Sequence, residues 1–555
     1  MTESMHVGQA IVKTLERHGV QRSYLVPGES FLSVLDGLHD SPIEAIVCRH
    51  EGGASFAAEA HGKATGEAGI CMVTRGPGAA NAKIGVYTAW QDETPMVLFV
   101  GLVPTADRYR GAFQEFDVNA WYDDITKGVF VIDDPERASR VVADAIHLAN
   151  SGRRGPVVVG LPEDIIEEAY PGEIASPFAL SRGAVSDNDI RVITEALSSA
   201  ERPLIFEGGQ GWSQDAADAW QRFAEAHQIP VLNDMRSSDK IHFDSPANAG
   251  WLGAARNEDT AQLLEDADVL LLVGAKLWDK PTDNYSLRQG LNRTNIVIST
   301  DADQLATSGA ITHHVLADPS IAAEELGRID LTNKPDTSEW FTRARALHED
   351  FSSIPPADER FPDLPEGTVD MYSVMEELTA RLDESALVTY GAGNHCFWPQ
   401  RFFPTRRFPS MLATRLGAMG YSIASAMAAK LADPQRTVIA FTGDGELMMN
   451  GQELVTAVRY NTPMLVVLVD NEQYGTIRAN QEKTYPGRVS GTQLVNPDFA
   501  EWARSMGAWA ETVEHNQDVP GTIERAFQKL DDGHVVLLHV KVGQDHATPE
   551  GSAEA

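Results

Sequence analysis

Cysteine is almost absent: Cys48, Cys71 and Cys396 are the three in 555 residues. Three thiols without the paired spacing of metal ligands cannot build a disulfide framework or a zinc site, so they read as buried, reduced side chains. No apolar run approaches the ~18 residues of a membrane-spanning helix. The segment Met1–Ala10 has neither a basic cluster nor an apolar core, so no secretory signal is read and a cytoplasmic protein is the expectation. Positive charge is scarce as well. Forty-five Lys and Arg stand against 80 Asp and Glu, a formal net charge of −35. So acidic a chain has no counter-charge to offer nucleic acid or an anionic membrane, and neither is expected as a partner.

Apolar residues are not scarce. At 43% they suffice for several cores, and the length, at ~150 residues per domain, implies three or four. Short apolar runs alternate with helical patterns: Ile70–Val73, Met96–Val100, Val157–Gly160, Val269–Val273, Ile296–Ser299, Val438–Phe441, Leu465–Val469 and Val535–Val540. Continuous apolar strands of this kind belong to parallel sheets covered on both faces. The class is α/β, with more strands than one sheet holds. Ala169–Arg182 reads as a linker, and so does Thr332–Gly367, around one short helical stretch. The expected domains are 1–168, 183–331 and 368–540, with a flexible tail over 541–555.

The third block carries the densest chemistry. Gly443-Asp444-Gly445-Glu446 ends one apolar run, and Asn471 follows at the end of the next, 27 positions after Asp444. Gly443 and Gly445 allow a sharp turn and a close approach to a ligand. A helix beginning near Glu446 points its N-terminus at that ligand and favours phosphate. A carboxylate, an amide oxygen and a main-chain carbonyl beside phosphate oxygens and water suit Mg²⁺. Read alone, Gly-Asp-Gly is an ordinary strand-to-helix turn; the paired strand ends are what count against that. In the first block, Arg49-His50-Glu51 lies where an apolar strand meets a helix rich in small residues. Burial there favours the neutral carboxyl, which can hold or relay a proton, although an ion pair with Arg49 or His50 is the plainer local reading.

Gly443-Asp444-Gly445 with Asn471 resembles the signature of thiamine-diphosphate-dependent enzymes. The resemblance implies three doubly wound domains: pyrimidine-binding, central and diphosphate-binding. It implies that Asp444, Asn471 and the carbonyl of Gln473 hold Mg²⁺, with Glu446, Tyr474, Gly475 and Thr476 beside the diphosphate. Arg49-His50-Glu51 is similar to the acetolactate synthase group, where the glutamate contacts the aminopyrimidine ring of thiamine and promotes loss of the C2 proton. Glu51 and Asp444 then belong to different subunits, which implies at least a homodimer with sites at its interface, or a tetramer. Further segments resemble that group in chain order. Thr74 to Asn81 matches a Gly-Pro turn, and Phe113-Gln114 faces substrate from the neighbouring subunit. Lys127 is synthase-like, Gly393 and His395 sit in a loop over the diphosphate, and Gly417 and Met419 lie in the segment that bends the cofactor.

Three departures bear on the substrate. Asn480, with Ile477 a turn before it, stands where branched-chain synthases have a tryptophan. Pro27-Gly28-Glu29 is similar to 2-keto acid decarboxylases, and Glu29 there can return a proton; as a plain alternative, it caps the helix that follows. In the central block the glycine fingerprint fails at Gln214, and Gly250–Gly253 and Gly274–Asp279 match flavin-binding synthases poorly, so the reading is without FAD. The first expectation is decarboxylation of a small 2-keto acid such as pyruvate, with ligation to a second carbonyl. Glu51, Glu29, Gln114 and Lys127 are its catalytic candidates, and Phe113, Gln114, Ile477 and Asn480 line its pocket. The alternatives are a non-ligating decarboxylase or a C–C lyase or hydrolase on a dione, and a silent regulatory homologue. No dinucleotide fingerprint opens a βαβ unit, which argues against a nicotinamide dehydrogenase.

Overall fold

The apolar runs do become strands, and every strand pairing is parallel. The computed structural model describes residues 5–209, 211–287, 293–304, 309–361 and 363–550. Its first sheet contains β1 (Arg22–Leu25), β2 (Glu44–Val47), β3 (Gly69–Val73), β4 (Met96–Leu102), β5 (Val129–Val131) and β6 (Pro156–Pro162). The second contains β7 (Pro203–Glu207), β8 (Val231–Asp234), β9 (Asn248–Leu252), β10 (Val269–Val273), β11 (Thr294–Ser299) and β12 (His313–Leu316). The third contains β13 (Leu387–Tyr390), β14 (Met411–Ala413), β15 (Val438–Gly443), β16 (Leu465–Asp470), β17 (Trp509–Val513) and β18 (Val536–Lys541).

Parallel neighbours need a crossover, and helices supply it on both faces, which is why β4 and β10 are buried along their whole length. The spatial orders are β2-β1-β3-β4-β6-β5, β9-β8-β7-β10-β11-β12 and β14-β13-β15-β16-β18-β17. Counted from its own first strand, the third sheet repeats the first: 2-1-3-4-6-5. The central sheet is 3-2-1-4-5-6. In such open sheets ligands bind beyond the carboxyl ends of the strands where the order reverses. That point lies between β1 and β3 in the first sheet and between β13 and β15 in the third.

The chain forms two compact units. One comprises Met1–Ser181 with Thr414–Pro434 and Leu447–Thr462; the other comprises Arg182–Ala413 with Gln435–Glu446 and the chain from Pro463 on. Within the first, Tyr421 donates its hydroxyl to the buried Glu59 at 2.7 Å, tying Thr414–Pro434 to the helix Glu51–Thr65. Within the second, Asp239 accepts the main-chain N–H groups of Ser410 and Met411 at 2.9 and 3.1 Å. Cys48, Cys71 and Cys396 are buried and free. Among the described residues no helix is long and apolar enough to cross a membrane.

Two expectations are corrected. The stretch in Thr332–Gly367 is a 15-residue helix, Ser338–Ser352, that buries Trp340 and Phe341. The Trp340 indole donates to the Pro203 carbonyl at 2.8 Å, so this helix belongs to the second sheet's core. The expected flexible tail is also packed as far as it is described. Trp398 donates to the Ala547 carbonyl at 2.9 Å, and Tyr372 donates to that of Pro549 at 2.7 Å. Two buried aromatic donors thus find their acceptors in the polar tail. Residues 551–555 lie outside the described residues.

Candidate active site

In the second unit, the loop after β13 and the turn after β15 meet at the switch point. The helix after β15 begins at Asp444, two residues before the expected start. A Cβ on Gly443 would lie 2.8 Å from His395 Nδ1, and one on Gly445 would lie 2.5 Å from the Tyr474 ring. These glycines therefore make room first for the protein's own side chains. His395 is buried, with Nε2 2.9 Å from a Glu446 carboxylate oxygen and near the Cys396 sulfur. Burial by itself lowers the imidazole pKa; Cys396 and Glu446 more than offset it and raise it to about 10.

Asp444 is buried at the mouth of this turn. The Asn496 amide donates to Asp444 and to Asp470, both at 2.8 Å, and Asp470 meets His539 Nε2 at 2.8 Å. Burial raises the Asp444 carboxyl to about 7, against the Asn496 hydrogen bond and with help from the Asp470 charge. Asp470 is pulled the other way: His539 and the Glu472 N–H outweigh its burial and lower it. After β16 the chain turns through Glu472 in the left-handed region, φ 55°. Asn471 is buried, and a Cβ on Gly475 would lie 2.9 Å from its Nδ2 and from Asn394 Nδ2. Thr476 donates to Asn394 Oδ1 at 2.6 Å. The Gln473 side chain is engaged by the Gln544 carbonyl and Arg478; its main-chain carbonyl accepts the Gly475 N–H at 2.9 Å and has a second lone pair to offer. Asp444, Asn471 and the Gln473 carbonyl thus fit a hard cation that takes oxygen ligands. Among the described residues no cluster of three His, Cys, Asp or Glu side chains is arranged for a metal.

The first unit repeats this architecture with other side chains. Pro27, Gly28 and Glu29 follow β1, and Thr74 follows β3. A Cβ on Gly28 would collide with Thr74, and Ser30 hydrogen-bonds the Thr74 hydroxyl at 2.9 Å. Glu51 opens the helix Glu51–Thr65, and Asn81 donates to its Oε2 at 2.9 Å. A Cβ on Gly78 would lie 3.4 Å from Glu51 Oε1. Glu51 is half-buried rather than buried, because its helix N-terminus faces the open end of the sheet. Gln114 lies over the same turn: its carbonyl is 2.9 Å from where a Cβ on Gly76 would stand. Its backbone is left-handed, φ 62°, and the Glu115 carboxylate fixes the loop by accepting the N–H groups of Tyr109, Gly111 and Ala112. A cavity of about 530 Å³ lies beside it, lined by Leu102, Arg108, Gln114 and Phe116 among others. Phe113 is 78% exposed.

Other candidates are placed differently. Glu29 is exposed and caps nothing: the helix Leu32–His39 has no side-chain cap. Lys127 is a correction. Its ammonium donates to the carbonyls of Leu148, at 2.5 Å, and Ser151, at the end of the helix Ala138–Asn150. Burial, with Arg153 and Arg154 adding to it, lowers its pKa to about 8. Its sequence neighbours suggested substrate; its reach is spent on two carbonyls. Gly417 (φ 68°) and half-buried Met419 lie in the first unit, where the turn is held by the Gly417 N–H to Thr414 carbonyl bond at 3.2 Å. Ile477 and Asn480, three apart on the helix Gly475–Thr484, are both exposed, and Asn480 donates to the Thr476 carbonyl. In the central sheet Gly208 N–H bonds the Val273 carbonyl at 3.2 Å, and a Cβ on Gly209 would lie 2.0 Å from the Gly274 carbonyl. The loops at that switch point pack on each other.

Asn394, Asn496, Asp470 and Ser30 were not singled out from the sequence. Asn394 lay one residue from a chosen histidine; Asn496 carries no local signal, since only folding brings it to Asp444.

Three family models match the chain. Residues 5–121 match the N-terminal TPP binding domain of thiamine pyrophosphate enzymes, 190–326 their central domain and 391–540 their C-terminal TPP binding domain. The chain is 30% identical to the acetolactate synthase large subunit of Parasynechococcus marenigrum (strain WH8102), over 98% of its own length and 90% of that protein. It is 30% identical to a probable acetolactate synthase large subunit of Methanocaldococcus jannaschii, over 94% and 90%. It is 29% identical to the isozyme 2 large subunit of Escherichia coli (strain K12), over 97% and 96%.

Proposed function

Because the chain belongs to the thiamine pyrophosphate enzymes, we propose that it decarboxylates a small 2-keto acid and ligates the remaining fragment to a second carbonyl, as an acetolactate synthase. The observation that carries this is the matched pair of switch points. One presents a buried carboxylate, an amide and a main-chain carbonyl; the other presents Glu51 held by Asn81. Thiamine diphosphate, when bound, supplies the carbanion chemistry. The protein's task is to anchor and orient it. Asp444, Asn471 and the Gln473 carbonyl would hold Mg²⁺ on the diphosphate, with Thr476 and His395 beside it. Glu51 would exchange a proton with the aminopyrimidine ring, its carboxylate kept in place by Asn81.

Glu29, exposed and uncommitted, would return a proton near the reacting carbon. Phe113, Gln114, Ile477 and Asn480 would border the substrate. An aromatic as exposed as Phe113 beside a preorganised glutamine supports a second subunit covering it, and we assign a homodimer with shared sites. The mutual packing of the loops around Gly209 and Gly274 supports a central block without FAD. The relatives named above favour ligation over simple decarboxylation.

The test is turnover of a panel of 2-keto acids with thiamine diphosphate and Mg²⁺ added or withheld. Pyruvate alone should yield acetolactate, strictly dependent on both. Free acetaldehyde as the main product would overturn ligation, and turnover without the cofactor would overturn the whole reading.

A further inference from the structure

The helix Glu453–Arg459 is followed directly by Tyr460. Glu453 and Tyr460 are seven positions apart, so they share one face. Glu453 is fully buried. Its Oε1 accepts the main-chain N–H groups of Arg49 and His50, both at 3.0 Å. Its Oε2 accepts the Arg49 N–H at 3.2 Å and the Thr456 hydroxyl at 2.6 Å. Tyr460 accepts the Val47 N–H and donates to the Ala45 carbonyl, both at 2.9 Å. Two side chains thus grip the backbone from Ala45 to His50, the segment that delivers Glu51.

The contact leaves no slack. A Cβ on Gly53 would lie 2.6 Å from Glu453 Oε1. A buried carboxylate is costly unless its lone pairs are filled, and here the donors stand at the front of the helix Glu51–Thr65, where a negative charge is also favoured by the helix dipole. Truncating the carboxylate leaves the N–H groups of Arg49 and His50 without their acceptor, and the turn carrying Glu51 is then free to shift.

We propose that Glu453 is a positioning residue for the thiamine-dependent reaction, acting through the backbone of Arg49 and His50 to aim the Glu51 carboxylate. This rests on the reading of Glu51 given above. The measurement is the rate at which the C2 proton of bound thiamine diphosphate exchanges into D₂O in the Mg²⁺-loaded protein. Glu453→Ala should slow exchange by about ten- to a hundredfold, the scale of a misplaced reactive group, while the dissociation constant for thiamine diphosphate changes little. Glu453→Gln keeps one oxygen for both N–H groups and should recover most of that loss. If the alanine variant does not fold, Glu453→Asp, whose carboxylate is set back by one methylene from the two N–H groups, is read in its place and should slow exchange in the same sense. In a Glu51→Gln background neither substitution should slow exchange further, because the pair acts as one unit.

Full-rate exchange in Glu453→Ala, or in Glu453→Asp if the alanine variant is unfolded, overturns the proposal. So does an equal further loss in the Glu51→Gln background, which marks a general structural role. If Glu51→Gln itself exchanges at full rate, the reading of Glu51 fails first and takes this one with it.

Discussion

At the scale of single residues, the environment decides what a titratable group can do. Lys127 shows this: the same ammonium that could touch a substrate is bound to the end of a helix. Lys127→Met should therefore cost stability, about 1–2 kcal/mol from two lost charge-assisted hydrogen bonds, and leave kcat/KM near the wild-type value. Thermal unfolding and steady-state kinetics on one preparation check both halves. His61, on the Glu51 helix, titrates in the opposite sense to His395. Burial lowers its pKa from 6.5 to about 4, with Arg22 adding to the effect. A depressed histidine stays neutral when folded but takes a proton when unfolded, so stability is lost as pH falls from about 6.5 towards 4. Between pH 7.5 and 5.5 the loss is about 1 kcal/mol. Urea midpoints at the two values should diverge by that much more in wild type than in His61→Leu.

At the scale of elements, the loops at the two switch points are set by close contacts between backbone and side chain. Gly475 begins the helix Gly475–Thr484, wedged between the amides of Asn394 and Asn471. An added methyl must push one of them aside, and Asn471 is the metal candidate. Gly475→Ala is expected to weaken Mg²⁺-dependent binding of thiamine diphosphate at least tenfold, by calorimetric titration, while the third sheet keeps its helix and strand content. Unchanged affinity in Gly475→Ala together with unchanged affinity in Asn471→Ala would show that Asn471 is not a ligand. The same logic explains Gly443 and Gly445, whose missing side chains are replaced by His395 and Tyr474.

At the scale of the whole molecule, two sheets share one strand order, and the two proposed halves of the site lie at their switch points; the third sheet has another order. If each site draws Glu51 from one subunit and Asp444 from the other, two inactive variants can complement each other. A dimer of one Glu51→Gln chain and one Asp444→Asn chain would keep one intact site. Random reassociation of equal amounts should then restore about a quarter of wild-type activity, half the dimers each holding one good site of two. Refolded mixtures that stay inactive while wild-type chains recover would place both residues in one subunit's site.

The sequence by itself determined the α/β class, the strands and the order of the motifs, because those rest on local periodicity and on spacing along the chain. Gly-Asp-Gly with its distant Asn and Arg-His-Glu were legible for the same reason: the chemistry is written in short segments. Only the tertiary structure decided which side chains meet. Glu453 lies some four hundred positions from the turn it grips, Asn496 reaches two aspartates, and Lys127 is drawn to a helix end. The packed tail and the long helix after the second sheet belong with these. The two members of each pairing lie well apart along the chain, and which of them meet is settled only when the sheets and helices are in place.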